Sequence, residues 1–246
     1  MAGVSFDDVD DLVSCGNGTS IDSLTTFTFS AWINITNLPS NAEYDAIIAQ
    51  RNDVTQRLFF YLNGDTSESY GSGRINFDIT TDATSAKSHS TNVPSTGTWI
   101  HALGTYNNAG DRTAYLFVNG VDTTTVRAAA TGTMISTPTI DISLGNRIVS
   151  QTRAFDGIIN EVAIWSVVLT QAEITQLALS KDKRTPLQIR PDSLAAYWPL
   201  DEQPDGNSGD ADSFFDMTAN ANTCTGNNGA DNLGLTAKAE AVLSYP

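Results

Sequence analysis

Six glutamates, two histidines and two cysteines limit what catalysis this 246-residue chain can perform. Cleaving a glycosidic bond takes a pair of carboxyl groups, about 5 Å apart in the retaining mechanism. Glu161 stands alone in its segment, and Glu43, Glu68, Glu173, Glu202 and Glu240 are scattered. His89 and His101 are too few for a histidine-based zinc site, and neither lies near a cysteine in sequence. Serine-hydrolase and phosphate-loop motifs are absent. The sequence therefore offers no catalytic residue, and the expectation is a protein that is not an enzyme.

The remaining chemistry is that of binding. The 28 acidic residues outnumber the 13 basic ones, for a formal net charge of −15, and such a chain repels polyanions, which argues against nucleic acid as a partner. Surplus carboxylates serve solubility or cation binding. The group Asp205, Asn207, Asp210, Asp212 and Asp216 lacks the glycine and terminal glutamate that an EF-hand loop requires, and reads as irregular loop. Among the aromatics, Trp32, Tyr44, Tyr61 and Tyr70 are the candidate sugar contacts, because flat rings with polar tips stack on the apolar faces of sugars. Trp165 could do likewise, but Trp99, Trp165 and Trp198 fit core packing better. Cys15 and Cys224 lie near opposite ends of the chain; a bridge and buried free thiols are both open.

The elements that must carry these groups are strands. Thr26–Ile35 reads TFTFSAWINI, with Phe27, Phe29, Ala31, Ile33 and Ile35 alternating with Thr28, Ser30, Trp32 and Asn34, the pattern of a strand with one buried face. Further β-rich runs occupy 46–49, 58–62, 74–79, 99–106, 113–118, 140–144 and 158–165, with Gly, Asn, Asp, Ser and Pro between them. Asn63-Gly64 and Asn119-Gly120 read as tight hairpin turns, and the polar stretch 82–97 as a long loop. One helix is expected: Thr170-Gln171-Ala172-Glu173 fits a capping box, and Leu169 with Ile174 a hydrophobic staple. Regular short strands with turn signals between them point to a β-sandwich, and the helix should end at 179–181 and pack against an edge or end of it. After Pro186, 194–200 reads as a returning strand and 201–232 as an irregular acidic segment. No apolar run is long enough to span a membrane, and the acidic N-terminal segment lacks the character of an export signal.

The order of motifs resembles the laminin-G-like branch of the concanavalin A-like lectin/glucanase superfamily. The matching pieces are VSFDDVDDLV near the start, FTFSAWI, the strand from Trp99 to Tyr106, YLFVNG at Tyr115–Gly120, LGNR at Leu144–Arg147, and Phe155–Trp165 leading into the capped helix. The resemblance implies an all-β, jelly-roll-like antiparallel sandwich, here a single one over 1–246. It also implies a structural calcium ion near a sandwich edge, held by Asp7, Asp8, Asp10, Asp156 and Glu161, although Asn160 stands where aspartate is frequent in the family. The Glu-x-Asp-x-x-Glu run of the glucanase relatives is missing. The expected function is a non-catalytic, lectin-like binding or display module, with surface glycans or other virion proteins as partners. A phage virion surface component, oligomeric or bound to a lattice as capsid decoration or tail-associated protein, is the preferred setting. An extracellular, secreted carbohydrate-binding module is the alternative, and a divergent glycan-cleaving enzyme the second.

Overall fold

The computed structural model describes residues 3–40, 43–52, 56–69, 71–137, 139–149, 151–180, 185–201 and 213–227. The first half of the chain runs β1 (Val4–Asp7), β2 (Leu12–Ser14), a short helix α1 (Thr19–Asp22), β3 (Thr26–Ile35), β4 (Tyr44–Arg51), β5 (Gln56–Asn63), β6 (Ile75–Thr80) and β7 (Ser85–Ser90). The second half continues through β8 (Trp99–Asn107), β9 (Tyr115–Val118), β10 (Val121–Asp122), β11 (Thr124–Ala128), β12 (Ser143–Leu144), β13 (Asp156–Trp165), the helix α2 (Gln171–Leu179), β14 (Leu194–Trp198), β15 (Ser213–Phe214) and β16 (Cys224–Asn227).

These strands form two antiparallel sheets. The seven-stranded sheet runs β1-β13-β3-β8-β9-β10. Its β13 is shared along one side, β1 pairing with 156–159 and β14 with 162–165. Between the two stretches the register slips, and Glu161 takes φ 51°. The nine-stranded sheet runs β11-β7-β6-β5-β4-β12-β2-β16-β15. The alternating apolar sides of both sheets meet in one core, with Phe27, Phe29 and Ile33 facing Phe60, Phe77 and Ile79. Gly104 marks a close approach, since a Cβ there would lie 2.9 Å from the Phe77 ring.

The outer face of the seven-stranded sheet is also buried, under α2. Leu103, Ala163, Trp165 and Tyr197 form a second cluster with Leu169, Ile174 and Leu177. The helix therefore lies on a sheet face, not at an edge or end as expected, because its apolar stripe finds there a broad apolar surface outside the main core. Its start is as the sequence implies: Thr170 accepts the Glu173 amide and Glu173 reaches back to Thr170 N–H.

Three more expectations need correction. Asn119 and Gly120 form a tight hairpin with φ of 51° and 78°, but Asn63-Gly64 does not. There the Asn63 side chain accepts the Asp65 amide, and Gly64 is pressed so close that a Cβ would lie 2.7 Å from the Glu43 carbonyl; the chain does not return until Ile75. The polar stretch 82–97 contains β7, whose inward residues Ala86, Ser88 and Ser90 are too small or polar to show an apolar alternation. Within 201–232, β15 and β16 extend the nine-stranded sheet, and the Cys15–Cys224 disulfide, spanning 209 residues, ties β16 beside β2. Asp216 holds the turn between them, accepting the amides of Tyr197, Thr218 and Asn222; Asp205, Asn207, Asp210 and Asp212 lie outside the described residues.

Candidate ligand-binding site

Five neighbouring strands of the nine-stranded sheet, β11, β7, β6, β5 and β4, build an open cleft of about 290 Å³ on its outer face. The strand register sets Ala49, Phe59, Asp78 and Lys87 side by side across β4 to β7. Ala46, Tyr61, Asn76 and His89 form the next row. The alanines leave low ground beside the rings. Phe59 and Tyr61 stack at 4.1 Å between centroids, 15° from parallel, and Tyr44 meets Tyr61 edge-on at 5.4 Å.

The rings are a floor more than a platform: Phe59 is 1 % exposed and Tyr61 5 %. Cations cover them, Arg51 with its guanidinium 4.9 Å over Phe59 and Arg153 4.6 Å over Tyr44. The walls are polar. Arg127 pairs with Glu68 at 3.1 Å, and the Tyr61 hydroxyl donates to Asp78 at 3.4 Å. Gln56, Thr80, Ser85 and Lys87 complete the rim. Burial lifts the Asp78 carboxyl to about 6, against the pull of Lys87 and Arg127. Arg51 is held below its ordinary value by burial and by the nearby Arg147.

Two groups of acids flank the β1–β13 pairing. At the end of β1 and in the turn after it, the carboxylate oxygens of Asp7, Asp10 and Asp11 lie within 4.8 Å of one another. Asp11 is buried and raised to about 7, by burial first and then by Asp7 and Asp10; its Oδ1 has no hydrogen-bond partner among the described residues. Across the pairing, Asp8, Glu43 and Asp45 line a cavity of about 150 Å³ together with Arg153. Asp45 is 3 % exposed and raised to about 8 by burial, then by Asp8, Glu43 and Asp156.

Beneath α2, the His101 Nε2 lies 2.8 Å from the Ser30 hydroxyl, and the Trp32 ring sits 5.2 Å from the imidazole. Glu161, turned onto this face by the slip in β13, accepts from the Tyr197 hydroxyl at 2.6 Å. The space left among these groups is about 10 Å³, room for no more than one water. Burial alone pushes His101 down to about 3, so the imidazole is neutral.

The family model of laminin-G-like domains, described as the concanavalin A-like lectin/glucanases superfamily, matches residues 7–175. The chain belongs to this superfamily. Among curated proteins none matches the chain in sequence. Among solved structures, a candidate carbohydrate-binding protein from Bacteroides ovatus superposes with a TM-score of 0.67 at 18 % identity, over 92 % of this chain and 58 % of that one. The chain thus spans little more than half the length of that relative. The full-length tailspike protein 2 of the Escherichia coli O157:H7 bacteriophage CAB120 gives 0.55 at 16 % identity, over 82 % of this chain and 27 % of that one. The heptameric SAP-like pentraxin of Limulus polyphemus gives 0.51 at 12 % identity, over 72 % and 81 %. Each of these likenesses concerns the fold.

On this lectin/glucanase scaffold the candidate residues of the sequence separate. Tyr44 and Tyr61 meet in the cleft. Trp32 is 8 % exposed under α2, on the other sheet, because the helix covers the face that alternation assigned to it. Tyr70 lies outside the described residues. Of the acids, Asp7 and Asp10 come together with Asp11, and Asp8 and Asp156 with Asp45 and Glu43. Glu161 joins neither. Arg51, Phe59, Asp78, Lys87 and Arg127 were not legible as a site; they come from five different strands, and only the strand order brings them together.

Proposed function

We propose that this chain is a non-catalytic carbohydrate-binding module, acting outside the cytoplasm and holding its glycan in the cleft over Phe59 and Tyr61. The observation that carries the reading is the cleft itself: a saccharide-sized groove with a planar ring floor, rimmed by amide, hydroxyl and charged groups. Small polar ligands are fixed by convergent groups of this kind on a rigid scaffold. The Cys15–Cys224 disulfide accords with an oxidising compartment.

Calcium fits the turn after β1. Oxygens within 4.8 Å of one another can share an ion bonded at 2.3–2.6 Å, and the buried, partnerless Oδ1 of Asp11 invites one. Asp7, Asp10 and Asp11 would hold it; bound calcium would neutralise their mutual repulsion and brace the turn. Melting should then rise with added calcium and fall with chelator.

The test of the module is binding to an oligosaccharide panel by calorimetry. Ser85 lines the cleft, and Ser85→Trp should fill it and abolish binding while the fold stays intact by circular dichroism. Binding unaffected by the plug, or sugar release from the panel, would overturn the reading. A second reading, a virion surface component bound to a lattice of other virion proteins, is kept by the fold shared with a phage tailspike. Retention on purified virions without any glycan signal would favour it.

A further inference from the structure

We infer that the cleft selects acidic glycans, a sugar carboxylate or sulfate ester being seated between Arg51 and Lys87; this rests on the cleft being the glycan site.

The chain has only 13 basic residues and a net charge of −15, yet Arg51, Lys87 and Arg127 line this one cleft. Arg147 lies near enough to Arg51 for the two to repel. A cluster of cations in an acidic protein costs repulsion and desolvation, and is ordinarily relieved by ion pairs. Arg127 has such a pair in Glu68. Arg51 and Lys87 have no ion pair among the described residues.

The nearest opposing charge is Asp78, the cross-strand neighbour of Lys87. Its carboxyl is buried, engaged by the Tyr61 hydroxyl, and shifted toward the neutral form. The cleft thus holds more positive charge than its own two carboxylates neutralise. The Phe59 ring beneath Arg51 positions a fork of N–H donors without using them, leaving them for a ligand's oxygens.

The overall charge narrows the ligand further. A field of −15 opposes dense polyanions, whereas a small cationic site inside it accepts an isolated anionic group. A glycan with spaced acidic sugars fits this better than a nucleic acid or a fully sulfated chain.

The experiment measures affinity for glucuronic acid-substituted xylo-oligosaccharides, 3′-sialyllactose and a sulfated galactan oligosaccharide. The carboxylated sugars are compared with forms reduced to the alcohol, and the galactan with its desulfated form. At least one acidic sugar should bind ~10-fold or more tighter than its neutral form, the worth of a charge-assisted hydrogen bond. Arg51→Gln and Lys87→Gln should each lower affinity for the acidic form more than for the neutral one, so that the ratio between the two falls toward one, and Arg51→Lys should restore part of that ratio. Equal affinity for acidic and neutral forms, abolished by Ser85→Trp, would overturn the selectivity and keep the glycan site. Binding that survives Ser85→Trp, or no binding to any sugar, would overturn both. An oligonucleotide that outcompetes every sugar and depends on Arg51 would also overturn the inference.

Discussion

Replacing His101 by glutamine should flatten the acid limb of the protein's stability. The imidazole is enclosed by the seven-stranded sheet and α2, where it bonds to Ser30, and burial depresses it to about 3. In the unfolded chain a histidine titrates near 6.5. Between those values the unfolded state binds one proton that the folded state refuses, so stability falls as the pH drops through this window. At pH 4 the loss from this one group amounts to ~3 kcal/mol, at 1.36 kcal/mol per pH unit; full burial leaves little solvent to screen it. A glutamine amide takes up no proton in this range. The His101→Gln variant should be less stable at pH 7 by ~1–2 kcal/mol, from the lost contacts with Trp32 and Ser30, and should lose ~3 kcal/mol less than the parent between pH 7 and pH 4. Urea denaturation at half-unit pH intervals measures both curves. Parallel curves across the window would refute the argument, because every other titrating group is common to the two proteins.

Asp45→Asn, in chelator at pH 8, should raise stability by up to ~5 kcal/mol at 1.36 kcal/mol per pH unit, since the buried carboxyl at about 8 costs stability as pH rises from near 4 through that value; the gain should vanish at pH 4, as followed by thermal melts. Reducing the Cys15–Cys224 bridge releases a 209-residue loop, worth ~5 kcal/mol on the chain-entropy account, so reductant should lower the melting temperature by roughly 10 °C or more. Gly104→Ala should cost ~1–3 kcal/mol in denaturant titration, because its methyl group would meet the Phe77 ring at 2.9 Å.

Local chemistry made much of the framework legible. The alternation of Thr26–Ile35, the Asn119-Gly120 turn and the Thr170 capping box each depend on near neighbours, and each forms as the sequence implies. What rests on long-range register could not be read. β7 escaped notice because its inward residues are small or polar and gain their burial from the sheet around them. The bridge between Cys15 and Cys224 needed β16 to lie beside β2. The cleft illustrates the division best. Sequence parity sends Phe59 and Asp78 outward from their separate strands, but Lys87 lies in a stretch without apolar alternation, and only the pairing order β4-β5-β6-β7 sets the three in one row. Likewise, alternation placed Trp32 opposite the main core, and only the docking of α2 decided that this second face is closed to solvent. Backbone periodicity is encoded within a few residues, whereas a binding surface is a property of strands brought together from distant parts of the chain.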